Sequence, residues 1–414
     1  MEFVADLHIH SKYSRATSRM MDIPNLAKWA KLKGIGLLGT GDFTHHLWVQ
    51  ELKNYLQPKG KTGLYTYKDV NFILSAEISS IYSQNGKVYR VHNVLLAPSF
   101  EIVEQVNKML STYGNISSDG RPILGLSCVK IAEEIFKISK DIMLIPAHIW
   151  TPWFSVFGSM SGFDSLEEAY GKYTEKITAL ETGLSSDPAM NWMVSKIDKY
   201  SLVSNSDSHS PQRIGREANV FNCEMNYWEI KKVLEEKDKS KILYTIEFFP
   251  EEGKYHYDGH RNCKVIFHPN ETKKHKGICP VCGRPLTKGV LYRVEELADR
   301  AEGFVPEGVT GFKSRVSLDE IIAEVKGVGK QSKSVEKAYL DAIYSCGPEF
   351  YILNKMTNDE LFNKLPPRVA EGIKRIREKD LKIIPGHDGE YGVIKIFRPE
   401  KEDSQPQEDQ LKLF

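Results

Sequence analysis

Short runs of β-branched and apolar residues alternate with helix-like patterns over residues 1 to about 250, as expected of βα units. Phe3–Ile9 reads as a strand. Pro24–Lys33 reads as a helix, with a proline near its start and Gly34 after its end. Ile35–Thr40 is the next strand. Asn71–Ser83 and Lys87–Ala97 flank Asn85-Gly86, a strong hairpin signal. Ile142–Ala147, Ile177–Glu181, Ser201–Ser204 and Ile242–Phe248 read as further buried strands. This order predicts a barrel-like α/β domain rather than an open doubly wound sheet.

From Glu251 the pattern breaks into Tyr, His, Gly, Lys and Cys without a clear period. Helical patterns return at Val290–Glu302, at Val316–Lys326, at Lys333–Tyr344 and from Pro366-Pro367 through Arg377. Residues from Arg398 onward are polar, acidic and Pro-containing, and read as a flexible tail. Four segments are thus expected: 1–250, 251–300, 301–397 and 398–414.

Composition narrows the class. A chain of 414 residues suggests more than one domain, and 41% hydrophobic residues suffice for packed cores. Lys and Arg (56) nearly cancel Asp and Glu (55), so any nucleic-acid face must be local. No run approaches the ~20 apolar residues of a membrane span, and the first residues lack a basic-then-apolar leader. Six cysteines make no disulfide framework, so the expectation is a cytoplasmic protein without membrane partners.

The chemistry lies in His and carboxylate residues at predicted strand ends. His8 and His10 stand two apart, so a strand turns both imidazoles to one side. Gly41-Asp42 closes the second strand. Glu77 lies in the hairpin with His92 on its return strand. His148 ends Ile142–Ala147, and Asp207-Ser208-His209 follows Ser201–Ser204. Five strand ends carrying such side chains are hard to explain as packing. Imidazole with carboxylate suits zinc, manganese or iron.

These motifs, in this order, resemble the PHP (polymerase and histidinol phosphatase) family over roughly the first 230 residues. The resemblance implies a distorted β/α barrel that hydrolyses phosphoesters with two or three divalent metals, Zn²⁺, Mn²⁺ or Mg²⁺. It implies that His8, His10, Glu77 and Asp207 hold one metal, and that Glu77 bridges to a second on His92 and His148. His209 would serve a third, and Asp42 joins the candidate ligands. His8, His10, Glu77, Asp207 and His209 are the expected catalytic set. Two positions depart from the pattern: Phe43 stands where a His is common, and Lys12-Tyr13-Ser14-Arg15 lacks one. His45 is a weak substitute, and His46 reads as helix surface.

Cys279-Pro-Val-Cys282-Gly283 is a zinc knuckle, and His260-x-x-Cys263 offers a second pair at the same spacing. Together they predict structural Zn²⁺ in a segment with little core of its own. His256 and His268 are rival fourth ligands. Lys273, Lys274, His275, Lys276, Arg284, Lys288 and Arg293 form a local basic cluster suited to phosphate or to solvent.

Ile145 to Phe154, Tyr255 to Cys263, the knuckle, Gly289 to Arg300 and Pro385 to Gly392 together resemble the endonuclease Q family over nearly the whole chain. That resemblance implies a DNA repair endonuclease cutting on the 5′ side of deaminated bases (uracil, hypoxanthine, xanthine) and abasic sites. Its partner would be double- or single-stranded DNA carrying a damaged base. The alternative is a PHP phosphatase acting on a small phosphomonoester, which would need neither zinc segment nor helical region. Trp150, Trp153, Phe154, Phe157 and Phe163 follow His148 and suit either a DNA wedge or an apolar lid. Asp388-Gly389 is a candidate for the lesion pocket or an ordinary turn. Gly327-Val-Gly-Lys330 resembles a helix-hairpin-helix turn, and Lys374, Arg375 and Arg377 are candidate phosphate contacts. Leu411 to Phe414 resembles half of a sliding-clamp-binding peptide.

Overall fold

In the computed structural model, residues 1–397 are described; the proposed tail and clamp motif lie outside them. The fold is mixed α/β, with a central sheet and a helical C-terminal region. Ten strands frame the argument: β1 (Glu2–Asp6), β2 (Leu37–Gly39), β3 (Val70–Gln84), β4 (Lys87–Ala97), β5 (Met143–Pro146), β6 (Ala179–Glu181), β7 (Ser201–Val203), β8 (Ala218–Asn222), β9 (Ile242–Glu247) and β10 (Gly311–Ser314).

The sheet runs β10-β9-β8-β1-β2-β3, and continues through β4 to β5. β1, β2 and β3 are parallel, whereas β3–β4, β4–β5, β1–β8 and β8–β9 are antiparallel. The parallel pair β6–β7 fills the space between β5 and β1. Thr178 donates its N–H to Leu144 at 3.3 Å, and His10 donates to Ser208 at 2.9 Å. The chain therefore curls, and the C-terminal ends of β1, β5, β6 and β7 face a common centre.

The hairpin forms as the Asn-Gly signal predicts. Asn85 and Gly86 both take positive φ, 52° and 77°, and Gln84 pairs with Lys87. The helix Ile23–Lys33 also forms, capped by the Asp22 side chain and ended by Gly34 at φ 84°. Its Leu26, Ala27 and Ala30 enter a core shared with β3 and β4.

Three expectations need correction. The first strand stops at Asp6, so His8 and His10 lie on the irregular segment beyond it. Strands are not uniformly parallel, and Glu77 sits in the middle of a 15-residue strand rather than at its end. The helix from Val290 ends at Leu297, not Glu302, because Asp299 is drawn to the 193–195 turn: its N–H meets Met193 O and its carboxylate accepts the Ser195 N–H.

The helical region follows β10 with Leu318–Lys326, Lys333–Cys346, Glu349–Asn354, Asn358–Lys364 and Pro367–Glu378 around its own core. The third and fourth of these helices were not expected from the pattern; they are only 6 and 7 residues long. Lys33 reaches this region and pairs with Glu349 at 2.9 Å, both side chains buried. Among the described residues, no helix is long and apolar enough to cross a membrane.

Candidate metal centre

Glu77 organises the centre. Its Oε2 lies 3.2 Å from Nε2 of His10 and 3.7 Å from Nε2 of His8. Its Oε1 lies 2.7 Å from Nδ1 of His92 and 3.1 Å from Nε2 of His148. Asp207 Oδ1 completes the first group, 3.0 Å from His10 Nε2 and 3.8 Å from His8 Nε2. Two groups thus share one carboxylate: His8, His10, Glu77 and Asp207, and Glu77, His92 and His148.

The fit to divalent cations rests on orphaned donors. Nε2 of His8 and His10, Nδ1 of His92 and Oδ1 of Asp207 are buried without a hydrogen-bond partner. Buried polar atoms left this way are costly unless something binds them. Ligands about 2.0–2.2 Å from one cation lie roughly 3–3.5 Å from each other, close to these spacings.

Neighbouring carboxylates fix the imidazoles. Glu181 meets Nδ1 of His8 at 3.0 Å and accepts the His148 backbone N–H at 2.9 Å. Asp42 Oδ1 meets Nδ1 of His10 at 2.9 Å, while its Oδ2 accepts from Ser11 N–H, Ser11 Oγ and Ser14 Oγ. Such partners choose the tautomer and aim the other nitrogen at the cation. Burial opposes a charge on His8, but Glu181 and Glu77 outweigh it and hold its pKa well above the ordinary value. Burial likewise opposes charge on Asp207, yet His10 and His8 keep it ionised far below the usual carboxylate range. On His92 burial wins, and its pKa falls to about 4. That leaves a neutral imidazole, the form a metal takes.

Three residues at the centre carry backbone strain. Asp42, His148 and Asp207 have φ of 49°, 32° and 45°, a region that non-glycine residues avoid.

Several candidates sit differently from expectation. Asp42 belongs to neither group; both its oxygens are engaged in holding His10 and the 11–14 turn. His209 also lies outside both, with its ring 4.5 Å from His10 and its Nδ1 2.9 Å from Asp207 O. His45 stacks on Tyr13 and His46 is exposed. Trp150, Phe157 and Phe163 are core residues, so only Trp153 and Phe154 of the aromatic run line the groove beside the centre. Glu181 and Arg121 were missed. Glu181 carried the same signal as His148, a ligand-type side chain closing a buried strand; Arg121 lies on a loop without pattern.

His260, Cys263, Cys279 and Cys282 converge as the two spacings predict. His268 stands instead beside Glu295 and Glu302, and His256 joins neither group. Gly283 at φ 71° and the Arg284 carbonyl accepting from Cys279 N–H shape the knuckle turn. Burial raises the Cys279 thiol, but the N–H groups of Cys282 and Val281 outweigh it and bring it to about 7. The basic cluster is partly committed: Arg293 donates to Phe157 O and Phe163 O, and Lys288 pairs with Glu296 at 3.0 Å. Lys274, Lys276 and Arg284 are exposed.

Asp388 accepts from Arg261 N–H at 2.7 Å and Thr287 O–H at 2.6 Å, fastening its turn to the cysteine segment. Arg377 is an internal fastener, donating to the carbonyls of Ile352, Leu353 and Met356. Lys330 pairs with Glu320, and Lys374 lies 3.9 Å from Glu378.

Residues 317–380 match the family described as the MJ0043 C-terminal domain. The chain is 36% identical over 260 residues to the uncharacterized protein MJ0043 of Methanocaldococcus jannaschii, covering 61% of this chain but 32% of that protein. It is 30% identical over 416 residues to the uncharacterized protein YqxK of Bacillus subtilis, covering 94% of this chain and 98% of that one. Among solved structures it is similar to the lesion-specific endonuclease PfuEndoQ from Pyrococcus furiosus, with TM-score 0.86, 34% identity and full coverage of both chains. It is equally similar to endonuclease Q in complex with a 27-mer duplex carrying an abasic lesion at the active site, with TM-score 0.84, 34% identity, and 99% of this chain and 100% of that one covered.

Proposed function

The chain belongs to the endonuclease Q family, and from that membership we propose that it is a DNA repair endonuclease acting on deaminated bases and abasic sites. In this reading it hydrolyses the phosphodiester on the 5′ side of uracil, hypoxanthine or xanthine in double- or single-stranded DNA. Residues 1–250 form the catalytic domain, a distorted β/α barrel of the PHP type. Residues 251–300 are a zinc-stapled segment, and 301–397 are the helical domain.

One observation carries the reading: the two oxygens of Glu77 face two separate donor groups. A carboxylate so placed would serve as a ligand in each group, an arrangement suited to the hydrolysis of a phosphodiester. Cations bound there supply a deprotonated water and neutralise charge on the phosphate oxygens. His8, His10 and Asp207 hold one side of the centre, and His92 and His148 the other. His209, outside both groups and partly exposed, is placed to exchange a proton with water at Asp207. Trp153, 37% exposed at the groove, is placed to stack on DNA opened at the lesion. His260, Cys263, Cys279 and Cys282 hold Zn²⁺ as a staple.

The test uses the full chain with Mn²⁺, Mg²⁺ or Zn²⁺ and labelled duplexes, intact or carrying a single uracil, hypoxanthine or abasic site. Nicking only of the damaged strands, 5′ to the lesion, is expected. Phosphate release from a small monoester without strand cleavage would overturn the reading in favour of a phosphatase.

A further inference from the structure

We propose that Arg121 is the phosphate-binding side chain of the metal centre, delivered to it by a loop that Gly120 locks in place. The inference rests on the phosphodiesterase reading above and assigns a side chain which that reading leaves without a role.

Arg121 Nη1 lies 3.0 Å from Glu77 Oε2, the same oxygen that faces His8 and His10. Its side chain is 30% exposed and lines a groove of about 290 Å³ together with Arg15, His92, His148, Trp153 and Phe154. Among the described residues, Glu77 is the only carboxylate paired with its guanidinium. Four of the five N–H donors of a guanidinium are then left for the groove. Their fork matches two oxygens of a phosphate, which a lysine ammonium cannot do. The group thus has one edge on a metal-binding carboxylate and the other on the open groove, where a phosphate held at the centre must lie.

The loop is built for this placement. A Cβ at residue 120 would stand 2.3 Å from Asp42 Oδ2 and 2.4 Å from Ser14 Oγ, so the glycine backbone lies directly on the carboxylate that orients His10. Gly120 donates its N–H to Tyr13 O at 3.1 Å and accepts from Thr44 O–H at 2.8 Å. Asp119 accepts the Arg121 N–H at 3.0 Å and pairs with Arg15 at 3.2 Å. Arg121 is therefore registered to the same network that registers a metal ligand.

A guanidinium that merely neutralised Glu77 would become redundant once a cation shared that oxygen. A phosphate ligand would not. Arg121→Gln and Arg121→Lys separate the two roles. In Arg121→Gln, Mn²⁺ bound per chain, read by equilibrium dialysis, should match or exceed the parent. Its kcat on a uracil-containing duplex should fall roughly 10²–10³-fold, as for loss of one donor to a transition-state oxyanion. Inhibition by inorganic phosphate should weaken at least about tenfold, the loss of about 1.4 kcal/mol, and Arg121→Lys should recover part of each. Nicking at the parental rate by Arg121→Gln would overturn the proposal, as would loss of bound Mn²⁺ in step with activity. If the parent nicks no damaged duplex, the endonuclease reading fails by itself. Binding of inorganic phosphate to the two Mn²⁺-loaded proteins then still decides the role of Arg121.

Discussion

Glu181 meets the His8 ring at 3.0 Å and accepts the His148 backbone N–H at 2.9 Å, so one buried carboxylate fixes a proposed ligand in each half of the centre. Asn205 Nδ2 donates to it at 2.9 Å and completes its hydrogen bonding. Glu181→Gln keeps the shape but turns one acceptor oxygen into an NH2 group, so the remaining oxygen cannot serve His8 Nδ1, the His148 N–H and Asn205 Nδ2 together. It should weaken metal affinity about 10–100-fold, with kcat falling as occupancy falls. Metal titration monitored by calorimetry checks this. Unchanged affinity would show that His8 needs no such partner.

The same contacts set a pH dependence. Cation binding requires neutral imidazoles, yet Glu181 and Glu77 hold the proton on His8 against burial, and Asp42 with Asp207 does so on His10. Metal uptake should therefore release protons, and affinity should fall steadily as pH is lowered below neutrality. Calorimetry in buffers of different ionisation enthalpy counts the protons. Uptake with no net proton release would contradict the charge balance described here.

How far the sequence foretold this centre depends on how local each signal is. His8 and His10 lie two residues apart, and Cys279 and Cys282 three apart, so their convergence follows from local backbone geometry even though the first strand ends at Asp6. Glu77 and His92 lie on strands joined by an Asn-Gly turn whose register the hydrophobic alternation fixes. Arg121 lies on a loop held through Gly120 by Tyr13, Thr44 and Asp42, contacts 76 to 107 residues from Gly120 in the chain that no local pattern encodes. Asp42 was found for the right reason, a carboxylate after a buried strand, but its positive φ turns it to the far side of His10. The strand β8 was not read from the sequence at all, so its antiparallel pairings with β1 and β9 were hidden with it; five residues between the loop after β7 and the next helix carry too short a pattern to stand out.

Glu247 offers a stability test away from the ligands. It is fully buried and accepts from Ser204 O–H at 2.9 Å and Thr182 O–H at 3.3 Å, as well as from Thr245. Burial raises its pKa to about 8, with Thr245 acting against this and Asp187 reinforcing it. The folded state thus binds this proton more tightly than the unfolded chain, where the pKa is about 4.3. Its stabilising effect is complete at low pH and is lost as pH climbs from about 4 towards 8. Glu247→Gln, which stays neutral, should raise the melting temperature relative to the parent more at pH 9 than at pH 5. An increment independent of pH would mean that Glu247 is already ionised in the folded protein.

The Lys33–Glu349 pair joins the first helix to the helical C-terminal region. Both side chains are 4% exposed, and Glu349 also accepts from Tyr339 O–H at 2.8 Å and from Leu318 N–H at 3.0 Å. Removing one member leaves an uncompensated buried charge, which costs about 3–5 kcal/mol, whereas an apolar replacement of both is often neutral. Lys33→Met should therefore lower the urea midpoint sharply. Lys33→Met combined with Glu349→Gln should recover most of the loss, because no net charge then remains buried and Gln can still accept from Leu318. Additive losses in the double variant would show that the two side chains act separately and that the pair does not fasten the two regions together.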